Sequence, residues 1–248
     1  MNKASLIFLG SKPIGYHCLE YLLREQENLQ IEVVGILTND NSTFNAALSL
    51  RQLATDYQIP LIASLDEMPE VDFLVSVQYH EILKPVHLQK AKKLAINLHM
   101  APLPEYRGCN QFSFAILDEK KEFGTTLHVM DAGIDHGGIL HERRFAIPDS
   151  CWVDELYNLT FEHSKLLFEE GIAPILKGDY TITPQENWIE TRGCSLHYRR
   201  EIGDIKQIDL SWDAEKIQRH LRATYMPGFE PPYTIMDGQK LFFTKAWK

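Results

Sequence analysis

Short runs with apolar residues on both faces, separated by stretches of helical periodicity, constrain this chain more than any other feature. SLIFLG (5–10), IEVVGILT (31–38), VDFLVSVQ (71–78) and LAINLH (94–99) each carry adjacent apolar residues, so both faces of each strand need cover. GYHCLEYLLREQ (15–26) places Leu19, Leu22 and Leu23 on one helical face, and TFNAALSLRQLATDYQ (43–58) predicts a second helix. PLIAS (60–64) reads as a further short strand, with PVHLQKAKK leading into the strand that ends at His99. Strands alternating with helices predict an α/β, Rossmann-like domain built on a mostly parallel sheet. Ligands of such sheets bind beyond the carboxyl ends of the strands.

FGTTLHVMD (123–131) and ILHERRFAI (139–147) predict two more strands, antiparallel to each other across AGIDHGG. A long helix follows, with Asp149 or Ser150 as its N-cap and Gly171 and Pro174 as points where it bends or restarts. After Gly178 the chain turns to short polar pieces, then a helix at DAEKIQRHLRATY and a hairpin at YTIMDGQKLFFTKAWK, where Asp237–Gly238 is a two-residue turn signal. The expected division is a catalytic domain over 1–184 and a small C-terminal β-rich appendage over 185–248.

Composition removes several classes. Four scattered cysteines form no CxxC pair and no metal-ligand spacing, which points to a reducing compartment and no metal. No run approaches about 20 apolar residues, and Ser11–Lys12–Pro13 is unlike a signal-cleavage site, so a cytoplasmic protein with no membrane partner is expected. A net charge of −9 speaks against a nucleic-acid partner.

The chemistry-bearing residues lie at the end of LAINLH. Asn97 offers amide donors to a developing oxyanion, and His99 can donate to that oxyanion or pass a proton near neutral pH. Asp135, in the glycine-rich GIDHGG, is a carboxylate that could orient the histidine or take a proton from an attacking amine. Each also reads as a plain turn residue, and spacing alone does not bring Asp135 to Asn97.

INLHMAPLPEYRG followed by GTTLHVMDAGIDHGGIL resembles the signature of the folate-dependent formyltransferases. The resemblance implies Asn97, His99 and Asp135 as the catalytic set and N10-formyltetrahydrofolate as formyl donor to a primary amine. It further implies a pterin loop at SVQYHEILKP, with Tyr79, His80, Glu81, Ile82 and Leu83 at the folate. Met100–Ala101–Pro102–Leu103–Pro104 stands where the family commonly has Ser-Leu-Leu-Pro, and Cys109–Asn110–Gln111 lacks a proline common after Arg-Gly. His128 lines up with a histidine of the purine-pathway members and equally reads as a core residue.

The tail, IDLSWDAEKIQRHLRATYMPGFEPPYTIMDGQKLFF, resembles that of sugar N-formyltransferases. An acceptor sugar of the 3- or 4-amino dideoxy type, linked to UDP or dTDP and made for a bacterial surface polysaccharide such as O-antigen, is therefore expected. Lys12, Arg107 and Tyr225 are the candidates to hold it, and a homodimer is expected. The readings to be beaten are a methionyl-tRNA formyltransferase, a non-catalytic folate or nucleotide binder, and a nicotinamide oxidoreductase. The last is disfavoured because GSKPIG is not GxGxxG and the first acid after the second strand, Asp40, comes late.

Overall fold

A computed structural model describes residues 3–39 and 48–245. Asp40 and the first part of the expected second helix, 43–47, lie outside the described residues. Strand β1 (Ala4–Gly10) leads into α1 (Lys12–Arg24), a one-turn α2 (Gln26–Leu29) and β2 (Ile31–Leu37). Next come α3 (Leu50–Asp56), a 3-10 turn at Leu65–Glu67, β3 (Val71–Val77), α4 (Pro85–Leu88) and β4 (Ala91–His99). The remaining elements are β5 (Arg107–Gly108), α5 (Gln111–Leu117), β6 (Glu122–Val129), β7 (Ile139–Ala146), α6 (Val153–Lys177), α7 (Glu186–Arg192), β8 (Leu196–His197), α8 (Glu201–Lys206), α9 (Ala214–Thr224), β9 (Tyr233–Met236) and β10 (Gln239–Phe242).

One six-stranded sheet has the order β2-β1-β3-β4-β6-β7. Its first four strands are parallel, and β6 and β7 join antiparallel. The α/β expectation holds, and the all-apolar strands show why. Leu6 and Phe8 pack on one face with Leu19 and Leu22 of α1 and Leu167, Phe168 and Ile172 of α6. Ile7 and Leu9 pack on the other face with Leu65, Met68, Leu74 and Leu83. A two-residue period with both sets buried leaves each strand covered on both sides. Every such fully buried leucine or isoleucine contributes ~1.5–3 kcal/mol.

Several local expectations are corrected. PLIAS forms only a single bridge, Leu61 to Ile36, because Pro60 has no N–H to extend it and the chain turns into the 3-10 segment. α3 starts at Leu50, where the Ser49 hydroxyl accepts from the Gln52 N–H as an N-cap. The long helix is capped neither by Asp149 nor by Ser150. It begins after Trp152, whose N–H donates to Glu155 at 2.9 Å, while Ser150 lies in a turn with φ 58°. It then continues through Gly171 and Pro174 as one helix to Gly178, which ends it in the left-handed conformation. Gly171 is there for proximity: a Cβ would stand 3.0 Å from Leu127 and 2.8 Å from the His141 ring. The tail contains the expected helix, as α9, and hairpin, as β9–β10, with α7 and α8 in addition.

Candidate active site

The site is built where β4 leaves the sheet. Asn97 and His99, two residues apart, point to the same side of the strand. Antiparallel register sets His128 of β6 directly opposite Asn97, and their side chains meet at 3.0 Å, Nδ2 to Nε2. His128 is 2% exposed, and its Nδ1 lies 2.9 Å from the Val129 carbonyl. A carbonyl can only accept, so Nδ1 carries the hydrogen, and Nε2 takes a hydrogen from the Asn97 amide.

The turn after β4 is held from several directions. Thr125 and Thr126 hydroxyls donate to the His99 and Ala101 carbonyls at 3.0 and 2.8 Å. Ser164 of α6 donates to the Thr125 hydroxyl at 2.8 Å. His99 Nε2 stands 2.7 Å from the Tyr106 carbonyl, so this nitrogen donates, and Nδ1 turns to the Asp135 carboxylate at 3.5 Å. The prolines and threonines thus shape a turn whose own backbone fixes the ring plane of His99.

Asp135 enters from the β6–β7 connection with φ 48°, a left-handed conformation that Asp tolerates better than most residues. Its Oδ2 accepts from the Gly108 N–H at 2.9 Å, and its Oδ1 from Asn97 Nδ2 at 3.4 Å, with His128 Nε2 at 3.6 Å. Burial pushes this carboxyl up, but the His99 imidazole and the Gly108 N–H outweigh it and hold Asp135 well below the usual carboxylate range. Asp135 is therefore an anion at neutral pH, 16% exposed at its side chain. Gly108 must be glycine: φ is 84°, and a Cβ would sit 2.2 Å from the His197 carbonyl.

This cluster can hold negative charge on a substrate oxygen with Asn97 and His99 while Asp135 receives a proton. The structure brings Asn97, His99 and Asp135 together from two loops, as expected, and adds His128. Among the described residues no group of three or more His, Cys, Asp or Glu is arranged to hold a metal ion. His136 turns instead to Asp131 at 2.7 Å.

The other candidates are placed differently. Tyr79, His80 and Glu81 follow β3 and bond to one another: Tyr79 to Glu81 at 3.2 Å and His80 to Glu81 at 3.3 Å. Burial and the adjacent Glu81 raise the Tyr79 phenol to about 12. Ile82 is 71% exposed, whereas Leu83 is buried in the second core. Lys12 opens α1 beside the ends of β1 and β3, its ammonium 3.1 Å from Gln78. Enclosure by the surrounding chain and the charge of Arg199 lower its pKa. Arg107 braces: its Nε and Nη2 donate to Gln185 at 2.9 and 2.7 Å. Tyr225 caps α9 and packs edge-on against Trp152, on the seam between α9 and α6.

A cavity of about 340 Å³ lies behind the turn, lined by Pro102, Glu105, Tyr106, Arg144 and Arg192 among others, and includes none of the three catalytic candidates. Its Arg144 is already paired with Glu105, Glu122 and Glu142, so it reads as a structural ion-pair nest. Sequence reading missed Gln185, which no local pattern marks, and gave His128 no role. Knowing that β6 runs antiparallel to β4 is enough to pair His128 with Asn97.

Residues 54–170 match the family described as formyl transferase. A GDP-perosamine N-formyltransferase of Brucella melitensis is 27% identical over 218 residues, 85% of this chain and 82% of that protein. A methionyl-tRNA formyltransferase of Halalkalibacterium halodurans is 29% identical over 178 residues, 72% of this chain and 53% of that protein. The crystal structure of an N-formyltransferase from Helicobacter canadensis, in complex with folinic acid and dTDP-3-aminofucose, is similar with a TM-score of 0.77. It covers 95% of this chain and 85% of that one, at 24% identity. Asn97, His99, His128 and Asp135 all fall inside the segment that matches the formyl transferase family.

Proposed function

We propose that this protein transfers a formyl group from N10-formyltetrahydrofolate to the primary amine of a nucleotide-linked amino sugar. The observation that carries the reaction is the convergence of Asn97, His99 and Asp135 at the carboxyl end of β4. The sugar acceptor is supported by the Brucella relative and by the Helicobacter neighbour, whose complex pairs a folate with an amino-sugar nucleotide. A net charge of −9 further favours a small acceptor over tRNA.

The folate supplies the formyl carbon. Asn97 releases the long 3.4 Å contact to Asp135 and turns that hydrogen to the formyl oxygen as it gains charge. Its second hydrogen stays on His128, which fixes the amide plane. His99, its Nε2–H held by the Tyr106 carbonyl, donates to the same oxygen from Nδ1, as an imidazolium beside the Asp135 anion. Asp135, anionic and adjacent, accepts the proton that the amine loses on attack, directly or through water, and passes it towards the departing nitrogen.

Leu83 offers an apolar wall for the pterin, and the exposed main chain around Glu81 and Ile82 offers it hydrogen bonds. Lys12 serves the diphosphate, Arg107 steadies the loop beside it, and Tyr225 lies on the acceptor side. We place the reaction in the cytoplasm: Cys18, Cys109, Cys151 and Cys194 are all free thiols, and no helix among the described residues is long and apolar enough to cross a membrane. The product is a building block for a bacterial surface polysaccharide such as O-antigen. The enzyme is a homodimer through its hairpin, where Ile235, Met236, Leu241 and Phe242 are 45–50% exposed.

The test is incubation with N10-formyltetrahydrofolate and a panel of dTDP-, UDP- and GDP-linked 3- and 4-amino sugars, with products read by mass spectrometry. A formamide on one of these sugars is expected. Formylation of methionyl-tRNA with no sugar product would overturn the acceptor.

A further inference from the structure

Gln185 is 1% exposed, and it lies 50 residues along the chain from Asp135. The segment leading to it runs alongside the start of β7, where Thr183 and Ile139 exchange N–H···O bonds of 2.8 Å in both directions. That pairing pushes the Gln185 side chain beneath the connection that carries Asp135. Its amide nitrogen donates to the carbonyls of Asp135 and Gly137, both at 2.8 Å. Its amide oxygen accepts from Nε and Nη2 of Arg107, at 2.9 and 2.7 Å.

Both hydrogens and both lone pairs of the amide are therefore engaged, and the partners settle its orientation. Two carbonyls demand a donor, and a guanidinium demands an acceptor. Only glutamine meets both needs: glutamate would set an oxygen against two carbonyls, and leucine would leave four buried polar partners unmet.

The partners matter because of where they sit. Asp135 has a left-handed backbone, and its carboxylate is held at the far end by the N–H of Gly108, the residue after Arg107. Residues 107 and 108 thus grip residue 135 twice, through Gln185 on its main chain and directly on its side chain. Release of the main-chain grip would let the turn relax and carry the carboxylate away from the 3.5 Å and 3.6 Å positions beside His99 and His128.

We infer that Gln185 is a positioning residue for formyl transfer, acting through the main chain of Asp135 to keep its carboxylate between the two histidines. This rests on the proposed formyl-transfer reading. It extends that reading by giving the segment after α6 a part in the chemistry.

The test compares Gln185→Leu and Gln185→Glu with the unmodified protein and with Asn97→Ala in one assay. A catalytic carboxylate displaced by about 1 Å loses about 100-fold in rate, so kcat of Gln185→Leu is expected to fall by about that factor. KM for either substrate is expected to change by less than about 3-fold, because binding contacts are untouched. Gln185→Glu keeps the Arg107 contact and loses both carbonyl contacts. It is expected to fall between the two, and it guards against a Leu variant that does not fold.

A readout free of turnover is the acid titration of the Asp135 carboxyl carbon by NMR. In the variants its midpoint is expected to rise towards the ordinary carboxylate range as His99 and the Gly108 N–H lose their hold. Folded variants with unchanged kcat and an unchanged Asp135 titration would overturn the inference. If Asn97→Ala is itself fully active, the formyl-transfer reading fails instead, and the NMR titration still decides whether Gln185 positions Asp135.

Discussion

Two loops at the carboxyl edge of one sheet are built in opposite ways. The turn after β4 is buried and cross-braced: His99 is 5% exposed, and Thr125, Thr126, Tyr106, Gly108 and Asp135 all hold it or are held by it. The loop after β3 is more exposed: Tyr79, His80 and Glu81 bond to one another, Gln78 accepts from Lys12, and Leu83 enters the core with Tyr79 packed against its edge. In the proposed reaction this difference separates making the reaction from admitting the substrate. Groups that meet a developing charge work best when their orientation is fixed in advance. A loop that offers main chain to a flat ring gains by staying open.

The comparison breaks first at Asp135. Asp135→Asn removes the anion that faces His99 and His128, and turnover is expected to fall by about 100- to 1,000-fold, a loss typical of a proton-transfer group. The same variant has a signature in stability. Because the folded state holds this carboxyl low, its contribution is complete above the ordinary carboxylate value of about 3.9 and is lost as pH falls below it. The difference in urea midpoint between the unmodified protein and Asp135→Asn should therefore shrink between about pH 6 and about pH 3. A constant difference would show that the carboxylate is not stabilised by its neighbours.

Gly108→Ala should come next. A left-handed φ and a Cβ 2.2 Å from the His197 carbonyl predict a loss of at least ~1–3 kcal/mol in unfolding free energy, with turnover reduced because the Asp135 anchor moves. An alanine variant of normal stability would mean that β5 and β8 are held less tightly than their pairing implies.

In the open loop the effect should be smallest. Ile82→Ala, at a 71% exposed side chain, should leave the unfolding midpoint within ~0.5 kcal/mol and kcat unchanged, with KM for the folate raised a few-fold. A large loss of kcat there would erase the distinction between the two loops.

The fold was legible because strands apolar on both faces admit few architectures, and Leu6 to Leu9 alternate between the two cores as such strands must. Asn97 and His99 were legible as a polar pair closing an apolar strand. The rest depended on long-range pairing. His128 finds Asn97 only through β4–β6 register, and Gln185 finds Asp135 only through a bridge between Thr183 and Ile139. Neither leaves a local pattern in the chain. The misplaced cap at Asp149 or Ser150 has a similar cause: both are good capping types, but Glu155 reaches back to the Trp152 N–H and starts the helix four residues after Asp149.

The central claim is that Asn97 and His99 together hold the charge that forms on the formyl oxygen. Single-turnover formyl transfer in Asn97→Ala and His99→Ala tests it most directly, with folding followed by circular dichroism. Loss of one donor from such a site is worth ~2.7–4 kcal/mol of barrier, so each variant should lose at least about 100-fold in rate while remaining folded. A folded variant of either kind with near-normal turnover would contradict the account.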